Sequence, residues 1–154
     1  MTVSKQRARD ILQQAEMLYS AEQVQAALHK VAQQINDALA DAHPLVLPIM
    51  GGAVVFSGQL LPLLDFPLDF DYVHVSRYGN ARHGGAMHWK VEPHENVRGR
   101  VVLVLDDILD EGHTMEALRS RVMELGARKF YSAVLADKQH GRKKPIHADF
   151  VGIE

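Results

Sequence analysis

A chain of 154 residues, 47% hydrophobic and 23% charged, has the make-up of one globular domain, long enough to bury about two-thirds of its unfolded surface. A net charge of −2 supplies no basic field for nucleic acid or acidic lipid, and the absence of cysteine excludes a disulfide framework and a thiolate metal site. No stretch approaches the ~20 apolar residues of a membrane span, and MTVSKQRARD leads into an amphipathic helix rather than a cleavable apolar run, so a cytoplasmic protein is the default expectation.

In chain order, the first forty-odd residues (1–43) read as a helical N-terminal region. Ser20 with Gln23 forms a capping box, and Val24, Leu28, Val31, Ile35 and Leu39 then recur at spacings of three and four, which makes one face apolar. Pro44 ends that region. Leu45 to Met50 (LVLPIM) is a short apolar run closing on Gly51-Gly52, and Val54 to Leu64 is long enough for a helix that Pro62 kinks or ends. Phe70 to Ser76 alternates as a strand. Val101 to Leu105 (VVLVL) reads as a strand covered on both faces. Met115, Leu118, Val122 and Leu125 mark a helix capped at Gly126, and Phe130 to Leu135 and Phe150 to Ile153 are further strands.

Strands alternating with helices imply an α/β fold with a mostly parallel, doubly wound sheet in one domain, residues 1–154. Ligands on such sheets sit at the carboxyl ends of the strands. The stretch 77–89 (RYGNARHGGAMHW) has three glycines and little periodicity, the texture of a flexible lid loop.

The segment VVLVLDDILDEGHTMEAL carries the most chemistry. It predicts a buried strand that emerges at Asp106-Asp107, a turn from Ile108 to Gly112, and a helix entered near Thr114. Paired carboxylates at a strand end are costly unless they meet a cation, a donor or a polyol hydroxyl. The turn aims backbone N–H groups and the positive end of a helix at one spot, which is how helix N-termini hold phosphate without lysine. Gly112 permits close backbone approach, and Thr114 is a candidate for both helix cap and phosphate-binding hydroxyl. Acids that only cap a βα turn are the plainer reading. Dyad, third acid, glycine and threonine together describe a ribose-5-phosphate site instead. No GxxxxGK[ST] loop exists, which removes a nucleotide-kinase reading.

This segment resembles the phosphoribosyl pyrophosphate signature of type I phosphoribosyltransferases. IMGGAVVF at 49–56, HVSRYGN at 74–80, LADKQHGRKK at 135–144 and DFVGIE at 149–154 are similar to the hypoxanthine-guanine branch, in the family's order from about Ser20 onward. The resemblance implies the following roles. Asp106 and Asp107 bind the ribose hydroxyls, directly or through Mg²⁺. Asp110 lies near N7 of the purine as general base, and Asp110, Glu111, Gly112, His113 and Thr114 hold the 5′-phosphate. Met50, Gly51 and Gly52 contact pyrophosphate, with Arg142 as a weaker candidate. Arg77 and Tyr78 belong to the lid, and Lys138 donates to the 6-oxo group. The implied reaction is purine salvage, converting a 6-oxopurine and phosphoribosyl pyrophosphate to IMP or GMP plus pyrophosphate, in a homo-oligomer (dimer or tetramer).

Three features depart from the family pattern. Met50 stands where a lysine or arginine is frequent, and Glu111 where serine or threonine is usual, so the Glu111 carboxylate should point outward from a bound phosphate. The family also continues past the position of Glu154 through a segment holding a base-stacking aromatic, an aspartate metal ligand and an arginine, so an incomplete chain is the expectation. The nine histidines form no metal-ligand spacing, and Trp89 reads as packing. Two alternatives stand beside the main reading: a xanthine-preferring enzyme, and a nucleotide-sensing regulatory protein that keeps the ribose-phosphate site.

Overall fold

The computed structural model describes residues 3–77 and 87–154; of Arg77 only the backbone is included. Ser4 caps helix α1 (Lys5–Gln14) and an intact capping box at Ser20 and Gln23 starts α2 (Ala21–Leu39). The N-terminal region is therefore two helices. Residues 15–20 are not helical, and the second helix starts at the capping box the sequence marks. The buried face of α2 is Ala27, Leu28, Val31, Ala32, Ile35 and Leu39, the predicted 3.6-residue stripe widened by two alanines, while its first member, Val24, is only half-buried.

Beyond α2 run β1 (Leu45–Met50), α3 (Val54–Leu60), β2 (Asp69–Phe70), β3 (Val73–Arg77), β4 (Met87–Val91), β5 (Val101–Leu109), α4 (His113–Glu124), β6 (Lys129–Asp137) and β7 (Phe150–Ile153). Helix α3 gives way to a single 3-10 turn, Leu61–Leu63, at the predicted breaker Pro62. The strand expected over 70–76 is split. Asp71 N donates to Val46 O, while the Asp71 carboxylate accepts from Tyr72 N at 2.8 Å and takes that amide off the ladder.

Among the described residues the strands form one sheet in the order β4-β3-β1-β5-β6-β7, with β2 also beside β1. Every pairing is parallel except the β3–β4 hairpin. Alternate residues of β5 face opposite cores, as period-2 geometry requires. Val101, Leu103 and Leu105 pack with α2 and α3 residues such as Ile35 and Phe56. Val102 and Val104 pack with Met115, Leu118 and Val122 of α4. Trp89 packs against this second cluster, as its packing assignment expects. The doubly wound α/β prediction holds, and the central strands β1 and β5 lie buried beneath both layers.

Candidate active site

Strand β5 does not stop at Leu105. It stays in register with β6 as far as Leu109↔Asp137, whereas β1 pairs with it only to Leu105. Asp106 and Asp107 thus lie within the strand, not at the end expected for them, and Leu109 closes it two residues further on. Past the end of β1, the acids take up amide protons themselves. Asp107 N donates to Asp106 Oδ1 at 2.9 Å, and Ile108 N donates to Asp107 Oδ1 at 2.8 Å.

Successive strand residues point to opposite faces, and the two carboxylates divide accordingly. Asp106 follows Val102 and Val104 toward α4 and lines a cavity there. Asp107 follows Leu103 and Leu105 toward the α3 side, where a Cβ added to Gly52 would meet its Oδ1 at 3.0 Å and its Oδ2 at 3.2 Å. Close approach of the 51–52 turn to Asp107 requires glycine at 52. Burial, with the hydrogen-bonded and charged Asp107 carboxylate beside it, pushes the Asp106 carboxyl up to about 7. An ionised pair here calls for a cation or for hydroxyl donors.

The cavity holds about 130 Å³ and is lined by Asp106 and by residues 108–115, from Ile108 to Met115. It includes all five predicted phosphate-binding residues. Gly112 is the N-cap of α4, in the left-handed region at φ 84°, and no side chain caps the helix. The first-turn amides of an α-helix lack intrahelical acceptors, so they and the positive helix end face the cavity. Thr114 is inside the helix rather than at its cap, a correction that follows from the glycine turn bringing the helix start forward to His113. Glu111 is exposed.

The turn after β5 meets the loop after β6. Lys138 Nζ is 3.4 Å from Asp110 Oδ1, and both side chains are more than half exposed, at 61% and 57%. Lys138 N donates to Leu109 O at 3.1 Å. The His140 ring lies with Nε2 3.1 Å from Asp110 O, while Arg142 N donates to Nδ1 at 3.3 Å. A carbonyl only accepts and an amide only donates, so the ring's proton sits on Nε2. A second cavity of about 500 Å³ opens beside Lys138, between Ile108, Ala136, Ile153 and the Leu18-Tyr19 segment.

Two contributors escape a reading of the sequence alone. Ile108 is 49% exposed and borders both cavities. Its signal was parity: it shares a face with Asp106 on a strand that has outrun its helical cover. Lys144, the last of the consecutive basic residues Arg142-Lys143-Lys144, is buried, and its ammonium reaches Leu109 O, Lys138 O and the Asp137 carboxylate. No local pattern marks it. Arg142 has an exposed side chain, and its backbone N–H serves His140. The lid assignment at Tyr78, and 78–86 of the 77–89 loop, lie outside the described residues. The Met50–Gly51 peptide bond is cis.

A parallel α/β sheet with an acidic pair and a helix N-terminus at the carboxyl end of its central strand defines a class of phosphate-ester-binding enzyme folds. Residues 14–154 match the family model described as the phosphoribosyl transferase domain. The hypoxanthine-guanine phosphoribosyltransferase of Bacillus subtilis is 32% identical over 139 residues, which cover 90% of this chain and 77% of that protein. The hypoxanthine-guanine-xanthine phosphoribosyltransferase of Tritrichomonas foetus is 31% identical, over 89% of this chain and 75% of the other. A crystal structure of a hypoxanthine-guanine phosphoribosyltransferase from Bacillus anthracis superposes with a TM-score of 0.82 at 27% identity, covering 90% of this chain and 82% of that one. The chain belongs to the phosphoribosyltransferase family, and the resemblance drawn from its motifs is borne out.

Proposed function

We propose that this protein transfers the 5-phosphoribosyl group from phosphoribosyl pyrophosphate to hypoxanthine or guanine, giving IMP or GMP and pyrophosphate in purine salvage. The observation that carries the reading is the meeting of Lys138 and Asp110 beside the phosphate-sized cavity at the α4 N-terminus. The two purine relatives above support the same choice of substrate.

In this reading the α4 amides and the 110–114 turn grip the 5′-phosphate. Asp110, which lines the phosphate cavity and lies 3.4 Å from Lys138 of the other, receives the N7 proton as the glycosidic bond forms. Lys138 donates to the 6-oxo oxygen; an ammonium has no lone pair to offer, so adenine's amino group finds no acceptor there. Ile108 provides an apolar face for the ring. The backbone amides of Met50, Gly51 and Gly52 line the leaving-group position over Asp107, with the Arg142 cation as a further contact for pyrophosphate. Arg77 and Tyr78 close over the reacting centre, keeping water from an oxocarbenium-like state.

The acidic pair fits Mg²⁺. Two hard carboxylates, one of them pushed up to about 7 by burial and then by its neighbour, suit a cation that relieves their repulsion, keeps waters and shares substrate oxygens. Among the described residues no cluster of three or more ligating side chains exists, so Asp106 and Asp107 would hold the ion jointly with the substrate. Mg²⁺ bound there supplies charge neutralisation of the pyrophosphate. A cytoplasmic homo-oligomer, dimer or tetramer, completes the proposal.

The test compares hypoxanthine, guanine, xanthine and adenine with phosphoribosyl pyrophosphate and Mg²⁺ in one spectrophotometric assay. Turnover of hypoxanthine and guanine is expected, and adenine preference would refute the role given to Lys138. Saturable nucleic-acid binding without turnover of any purine would replace the enzyme by a regulatory protein.

A further inference from the structure

Among the described residues Lys144 is the one charged side chain in the buried interior, 8% exposed. We propose that it is a positioning residue, which holds Asp110 and Lys138 in register and so underlies selection of the purine's 6-oxo group. The inference rests on the purine-salvage reading above.

The geometry gives Lys144 a particular place. Leu109 and Asp137 are the last paired residues of β5 and β6. One residue further on, the strands part: Asp110 enters the phosphate turn and Lys138 enters the base-side loop. The Lys144 ammonium sits at this fork and donates to Leu109 O at 2.8 Å, to Lys138 O at 2.8 Å and to the Asp137 carboxylate. An ammonium has three N–H donors, and all three are used. The Asp110 and Lys138 side chains are too exposed for packing to fix them. Their relative placement is inherited from their backbones, which Lys144 ties together. A residue needed only to fill this volume would be apolar, because burying an ion pair carries a desolvation cost that methionine avoids.

The test is the charge-balanced double variant Lys144→Met with Asp137→Asn, which leaves no unpaired buried charge. Its KM for hypoxanthine should rise about tenfold, KM for phosphoribosyl pyrophosphate should stay within about twofold, and the hypoxanthine-over-adenine ratio of kcat/KM should fall about tenfold. The chain has no cysteine, so Lys144→Cys introduces a single thiol. Alkylation with bromoethylamine in denaturant, followed by refolding, rebuilds an ammonium of nearly lysine length and should restore the ratio. This second variant carries the test if the first does not fold. Equal rises in both KM values, or a lower Tm with an unchanged purine ratio, would overturn the proposal. Wild-type protein that turns over no purine would sink the salvage reading separately. The tie is then read by hydrogen exchange of the Lys138 amide, which bonds Leu109 O: exchange about tenfold faster in the double variant supports it, and an unchanged rate overturns it.

Discussion

The two halves of the proposed site are built on different principles. The phosphate half, from Asp106 to Thr114, is mostly backbone: a buried strand, a glycine turn and the open end of α4. The base half depends on one exposed side chain, Lys138, at the start of a loop after β6. Backbone sites tolerate side-chain change, which is why an exposed glutamate at 111 is compatible with a phosphate cavity. A single donor on a loop tolerates little displacement. Charge is managed differently too. The phosphate half concentrates like charges and waits for a ligand to relieve them, whereas the loop at the base half is tied down by a buried ion pair.

The largest expected effect is at the residue shared by both halves. Asp110→Asn should lower kcat by about 100-fold or more, with little change in phosphoribosyl pyrophosphate affinity, because it removes a proton acceptor and leaves the turn intact. Equal losses in both would make Asp110 a binding residue. Gly52→Ala should act on the phosphate side alone. Its Cβ would press on the Asp107 carboxylate at 3.0 Å, so KM for phosphoribosyl pyrophosphate should rise about tenfold, the scale of one charged hydrogen bond, while purine discrimination is unchanged.

Gly112→Ala comes next, read as stability. At φ 84° an L side chain is strained, and the new Cβ lies 3.3 Å from Ile146 Cγ2, so about 1–2 kcal/mol should be lost in a denaturant titration. The smallest effect is pH-linked. The Asp106 carboxyl is raised from 3.8 to about 7, chiefly by burial and then by Asp107. From about pH 4 to 7 the folded state therefore keeps a proton that the unfolded chain has released, and stability from this group falls as pH rises. The ligand-free protein should lose more Tm between those pH values than Asp106→Asn does. Phosphoribosyl pyrophosphate with Mg²⁺ should narrow that gap, and equal slopes for both proteins would remove Asp106 as the cause.

What the sequence made legible follows the same division. Periodicity found α2 and the central strands because burial on one or both faces leaves an apolar pattern, and the phosphate half was readable because its chemistry is local: acids, glycine and helix start fall within nine residues. The limits of β5 were missed because they are set by a partner strand. Apolar content ends at Leu105, but hydrogen bonding to β6 carries the strand on through the acids to Leu109. The split of the 70–76 strand depends on where the Asp71 side chain turns, which composition does not encode. In the base half, Lys138 was found by resemblance alone. Ile108 and Lys144 became visible only when β5 and β6 were placed side by side, since their roles lie in contacts across 28 to 35 residues of chain.

In the proposed site Lys138, set against Asp110 beside a helix-end phosphate cavity, selects 6-oxopurines. Lys138→Gln tests it most directly, because glutamine both donates and accepts and so can pair with either purine edge. The measurement is the ratio of kcat/KM for hypoxanthine to that for adenine, in wild type and variant at equal phosphoribosyl pyrophosphate. Wild type should strongly prefer hypoxanthine, and the preference should fall by about tenfold or more in the variant. A ratio that is the same in both proteins would contradict it.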